Sequence, residues 1–223
     1  MKQIPLPIGT AAARTFENFA TGANAATLAH LRALVPGSAP VYLWGPTGSG
    51  KTHLAQAVIA HLQAEGVRCA SFGPQVATPW VGSEPCGIIV IDDCERLAPD
   101  QQHCAFTLFV QAAESGATII AAGRVPPVDL LLREDLRSRL GWGHVMAVQA
   151  LSEQEARAEL RREADRRGIL LTDEVMEYLL TRFDRDLKSL FDLLDRLDEF
   201  SMSQQRSVTV ALLKKMLAQG PQA

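Results

Sequence analysis

The chain has 223 residues, room for one medium or two small domains, and 47% of them are apolar, enough for a proper core. A formal net charge of −3 does not favour unspecific binding to a phosphate backbone. No apolar run approaches the ~20 residues that span a bilayer, and the N-terminus lacks the charged and apolar regions of a leader, so a cytoplasmic protein with no membrane role is expected.

Residues 1–9 cannot be helical, because Pro5 and Pro7 fix their own φ and force the preceding residues extended. The segment reads as a tail, either strapped down or presenting Gln3, Ile4 and Leu6 to pockets on a partner. A helix follows from about Asn24, a plausible N-cap, with Leu28, Leu31 and Leu34 along one face. Phe16 and Phe19, just ahead of it, are candidates either for the core or for the wall of an adenine pocket.

Gly45-Pro46-Thr47-Gly48-Ser49-Gly50-Lys51-Thr52 matches G-x-x-x-x-G-K-[ST], the phosphate-binding P-loop. Val41–Trp44 reads as a buried strand before it and 53–62 as a helix after it, which is the setting the motif needs. Backbone N–H groups would turn onto the phosphates of ADP or ATP, Lys51 would bridge the outer two, and the Thr52 hydroxyl would hold Mg²⁺. Residues 87–93 carry four consecutive β-branched apolar residues and then Asp92 and Asp93, a Walker B pattern at the carboxyl end of a buried strand. Asp92 is expected to hold Mg²⁺ and Asp93 to orient or activate an attacking water.

Further strands are expected at 67–72, 117–122 and 144–148, and helices at 99–115 and 130–140, giving a five-stranded, parallel, doubly wound α/β sheet. The four cysteines form no C-x-x-C pair and read as reduced thiols. After Leu151 the pattern is helical only. Ser152-x-x-Glu155 is a capping box, Thr172 or Asp173 caps a second helix, a third spans 186–200 with Leu187, Leu190, Leu194 and Leu197 in one stripe, and Thr209 caps a last one. The expected domains are a tail at 1–9, an α/β nucleotide-binding domain at 10–150 and a helical lid at 151–223.

A P-loop α/β domain followed by a helical lid is the layout of AAA+ ATPases. Phe16-Glu17-Asn18-Phe19, Ile91-Asp92-Asp93, residues 135–143 and residues 184–191 narrow the likeness. The whole chain resembles the Hda family, short relatives of the replication initiator DnaA. That resemblance implies a regulator that binds ADP or ATP, docks on the DNA-loaded sliding clamp of DNA polymerase III, and stimulates ATP hydrolysis by DnaA. It makes Gln3-Ile4-Pro5-Leu6-Pro7 the clamp-binding motif, Arg139 the arginine finger, and Arg185 the sensor-2 arginine that reaches the nucleotide from the lid. DNA would be met indirectly, through the clamp, and self-association is expected because AAA+ sites are completed between neighbours. Two other readings stay open: an autonomous ATPase such as a helicase loader, and a nucleotide-gated adaptor without catalytic contribution. The sequence departs from the family pattern at the sensor-1 position, where Ala122 cannot hydrogen-bond a phosphate or a water. The stretch from Gly73 to Gly87 is also too short for the helical insertion of initiators, and no DNA-binding domain is expected after residue 219.

Overall fold

A computed structural model describes residues 13–80, 86–183 and 186–219. Its contacts divide the chain into two compact units. One comprises residues up to Phe19, Ala26–Trp44 and Lys51–Ala147; the other comprises Ala20–Ala25, Gly45–Gly50 and the chain from Val148 onward.

The first unit is built on five parallel strands, β1 (Val41–Trp44), β2 (Cys69–Phe72), β3 (Ile88–Ile91), β4 (Thr118–Gly123) and β5 (His144–Ala147), in the order β2-β3-β4-β1-β5. The register sets Leu43 beside Ala122 and Ile91 beside Ala121. The loops leaving β1, β3 and β4 therefore emerge at one carboxyl edge, where open α/β sheets bind ligands. Strands β3 and β4 are buried throughout, as expected of near-continuous β-branched and small apolar runs. Successive side chains alternate between the faces. Tyr42, Ile89, Ile91, Ile119 and Ala121 share a core with Ala105, Leu108, Phe109 and Ala112 of α3 (Pro99–Ser115) and with Leu136 and Leu140 of α4 (Glu134–Leu140). Helix α2 (Lys51–Ala64) packs on β4 and β2 and buries Leu54, Val58 and Leu62, the expected i, i+4, i+8 stripe.

Helix α1 (Ala25–Arg32) starts from a short 3₁₀ turn, and Asn24 does not cap it. Its amide instead clamps the backbone of Gln149 within the second unit, donating to the carbonyl at 2.9 Å and accepting from the N–H at 2.8 Å. Two polar hydrogen bonds to a distant backbone outcompete one local cap.

The second unit holds α5 (Glu153–Arg167), α6 (Asp173–Arg182), α7 (Leu187–Gln204) and α8 (Val210–Ala218). The side chains of Ser152, Thr172, Asp186 and Thr209 each accept a hydrogen bond from the backbone N–H three residues on. Leu160, Val175, Met176, Leu179, Leu190, Leu194 and Leu213 form its core. At about 1.5–3 kcal/mol for each fully buried large aliphatic side chain, this cluster is the main source of the unit's stability.

Candidate functional site

Within the first unit the Walker residues converge. Lys51 opens α2 and is only 8% exposed. Burial lowers its affinity for a proton, and the carboxylates of Glu95, Asp92 and Asp93 work the other way. Asp92 leaves β3 with its N–H on the Phe72 carbonyl at 3.0 Å, and its Oδ1 accepts the N–H of Asp93 at 2.9 Å. Asp93 adopts the left-handed conformation, φ 50° and ψ 46°, which turns the chain from strand into a 3₁₀ turn at Cys94–Arg96. Its Oδ2 lies 3.5 Å from Arg96 Nη1.

Sequence reasoning missed Glu95. Its Oε2 accepts the Arg124 N–H at 3.2 Å, across from β3 to the end of β4. Its Oε1 is buried and has no hydrogen-bond partner. Ala122 is fully buried inside β4 beside Leu43, so no side chain from that position reaches the sheet edge. Gly123 follows, and a Cβ there would stand 2.1 Å from Tyr42 Oη and 3.2 Å from Glu95 Oε2. The Tyr42 hydroxyl donates to the Val125 carbonyl at 3.0 Å. The only advance signal for Glu95 was a third acid shortly after the Asp pair.

Within the second unit lies the loop Gly45–Gly50. A Cβ on Gly45 would meet the Val148 carbonyl at 2.2 Å, and one on Gly48, at φ +78°, would meet Asp186 Cβ at 2.3 Å. Both positions therefore require glycine, and at Gly48 the cause is the approach of the α7 cap as well as backbone conformation. Ser49 donates its N–H to the Pro46 carbonyl at 3.3 Å, while its hydroxyl is buried with no partner. Thr47, Gly50 and Thr52 continue the motif into α2. Taken by itself, the orphaned buried hydroxyl in the glycine turn suits a phosphate, and within the first unit the buried lysine near three carboxylates suits a phosphate with its Mg²⁺.

The other expected residues lie elsewhere. Phe16 and Phe19 are buried and meet His61 and His53 of α2 edge to face, with ring centroids 5.7 and 5.3 Å apart. Arg139 closes α4 with its guanidinium 4.4 Å above the ring of Trp142, which is 69% exposed. Arg185 and the tail residues Gln3, Ile4, Pro5, Leu6 and Pro7 lie outside the described residues. Among the described residues no helix is long and apolar enough to cross a membrane.

Comparison with solved structures gives the fold. The chain superposes on domain III of the replication initiation protein DnaA from Thermotoga maritima with a TM-score of 0.76 at 22% identity, over 93% of this chain and 97% of that one. It superposes on AMPPCP-bound DnaA from Aquifex aeolicus with a TM-score of 0.68 at 19% identity, over 84% of this chain and 65% of that one. The RuvB Holliday junction branch migration motor of Thermotoga maritima gives 0.61 at 19%, over 80% and 61%. Residues 153–217 match the family model described as the lid domain of Hda. The chain has the fold that these proteins share, and its segment 153–217 matches the Hda lid model. The matched segment runs from the first residue of α5 to near the end of α8. Asp186, which both caps α7 and sits against Gly48, belongs to the same segment.

Proposed function

We propose that this protein regulates replication initiation: it binds ADP or ATP, docks on the DNA-loaded sliding clamp through Gln3-Ile4-Pro5-Leu6-Pro7, and stimulates ATP hydrolysis in DnaA with Arg139. The observation that carries the reading is the lid match to Hda in a chain whose α/β unit has the DnaA fold. The phosphates rest on Gly45–Thr52, with Lys51 as the principal cation. Thr52 and Asp92 hold Mg²⁺, which when bound neutralises charge on the outer phosphates. Asp93 contributes a further carboxylate at the same edge, and Arg185 reports the nucleotide to the lid.

Arg139 acts away from this cluster. Its planar guanidinium is held on an exposed indole at the end of α4. That position suits insertion into a neighbouring subunit, where a fork of donors stabilises charge developing on a transferred phosphoryl group, worth ~10³–10⁵ in rate. The test is hydrolysis of DnaA-bound ATP in the presence of clamp-loaded DNA. Arg139→Ala is expected to lower stimulation by ~10³-fold or more, the low end of such fingers, while clamp binding persists. Full stimulation by the variant would remove Arg139 from this role and favour the adaptor reading. The Glu95 geometry favours a second reading, in which the chain also hydrolyses its own nucleotide.

A further inference from the structure

We infer that Glu95 supplies the polar group that β4 lacks at its carboxyl end, and that it is the carboxylate which orients the attacking water on a nucleoside triphosphate in this chain's own site. The inference rests on the reading that the P-loop binds ATP. At its carboxyl end strand β4 offers no polar side chain: Ala122 is fully buried, and a Cβ on Gly123 would stand 2.1 Å from Tyr42 Oη and 3.2 Å from Glu95 Oε2. Glu95 thus stands where a polar residue at the end of β4 would stand, reached from the neighbouring strand. One oxygen is fixed by the Arg124 N–H, and the other is buried and unsatisfied. A buried acceptor left without a partner is costly, and a ligand, ion or water commonly completes it. A carboxylate has no proton to give a phosphate oxygen; the donor we assign to it is a water.

Asp93 is set up differently. Its side chain is 47% exposed and lies beside Arg96 Nη1, and its backbone is committed to the left-handed turn. In the step this supports, the water held on Glu95 Oε1 bonds through its oxygen to the γ-phosphorus. The bond from that phosphorus to the bridging oxygen breaks, leaving its electron pair on the β-phosphate of ADP. The water's proton passes by way of Glu95 to the released phosphate.

The test uses the full chain and Glu95→Gln, which keeps the size and an acceptor for the Arg124 N–H. Affinity for ADP·Mg²⁺ is measured alone and with aluminium fluoride, a mimic of the phosphoryl group in flight, together with single-turnover hydrolysis of ATP. Glu95→Gln is expected to bind ADP·Mg²⁺ within about twofold of the unsubstituted chain, as the fold and phosphate loop are untouched. It should lose at least tenfold of the preference for ADP with aluminium fluoride and slow single turnover by ~10², the low end of a positioned general base. Asp93→Asn should lose less on both measures. Retained preference and rate in Glu95→Gln, or a larger loss in Asp93→Asn, would overturn the assignment. So would an unsubstituted chain that binds ADP but shows neither the preference nor turnover. An unsubstituted chain that does not bind ADP would overturn the nucleotide reading itself.

Discussion

At residue 123 a methyl group has nowhere to go. It would sit 2.1 Å from Tyr42 Oη, on a hydroxyl pinned to the Val125 carbonyl, in a strand with neighbours on both sides. Gly123→Ala is expected to cost about 1–3 kcal/mol, the usual penalty of overpacking a tight interior. Removing the hydroxyl takes away the nearest obstacle and leaves Tyr42 Cζ at 3.1 Å from the new methyl. The double variant Gly123→Ala/Tyr42→Phe should therefore be more stable than the sum of the single losses, a coupling that urea unfolding of the four chains measures directly. Additive losses would show that the hydroxyl is not what excludes the side chain. Lys51, Asp92 and Asp93 were legible because each lies in a contiguous pattern whose chemistry is local. Glu95, Tyr42 and Gly123 were not: their partnership depends on the parallel register of β1, β3 and β4, and nothing in the spacing of the three residues encodes it.

Histidines also act one residue at a time. Burial pushes His30 below its ordinary value, and His144, 4.4 Å away between ring centroids, adds to it. Burial lowers His53 too, opposed by its hydrogen bond to the Thr15 carbonyl and reinforced by Arg14. Both imidazoles are therefore neutral in the fold at a pH where the unfolded chain, titrating near 6.5, has begun to take protons. The unfolded state then binds more protons, so stability falls as pH drops below about 6.5 and is indifferent to these groups above it. The carboxylates act lower. Glu155 is lowered by its hydrogen bonds to Ser152, and Glu163 by its hydrogen bond to Arg166, so their contributions fade only below about 4.5. Melting temperature is expected to decline between pH 6.5 and 5, and His53→Gln should flatten that decline while keeping a donor for Thr15. An unchanged slope in the variant would place the proton uptake elsewhere.

Among elements, the helices of the second unit were the most legible, because their starts are written locally. Ser152 and Glu155 form the expected reciprocal box: the Glu155 carboxylate accepts the Ser152 N–H at 2.8 Å, and the Ser152 hydroxyl accepts the Glu155 N–H at 3.3 Å. Ser152→Ala removes the hydroxyl's bonds and leaves the backbone one, and should cost about 1 kcal/mol in urea unfolding, with Ser152→Asp recovering most of it. No loss in the alanine variant would mean that water satisfies the helix end as well. The mixed charges of α5 form ion pairs along its surface. Arg162 pairs with Glu159, Arg166 with Glu163, and Arg167 with both Glu163 and Asp195 of α7. The more exposed of these, such as Arg162 with Glu159, contribute little. The helix from about Asn24 was placed correctly but for the wrong reason, since the residue that looked like a cap serves a long-range clamp that local pattern cannot show.

For the whole molecule, the five parallel strands and the switch to an all-helical segment near residue 150 followed from the alternation of apolar strand runs with helical periods. The assignment of Gly45–Gly50 to the helical unit did not, because it arises from Val148 and Asp186 closing on two glycines far away in the chain. Among the described residues, the N-terminal segment is tied to α2 by Arg14 on Gln56 and by His53 on the Thr15 carbonyl, each at 2.9 Å, and is braced internally by Asn18 on the Ala13 carbonyl at 2.8 Å. A chain with net charge −3 also has little general attraction for DNA. These facts make one deletion decisive for the proposed recruitment. Removing residues 1–8 should leave ADP affinity and melting temperature unchanged and abolish retention on clamp-loaded DNA, while the full chain is retained only when the clamp is present. Retention of the truncated chain would move the clamp contact onto one of the folded units, and retention of the full chain on bare DNA would replace the clamp with a direct nucleic-acid surface.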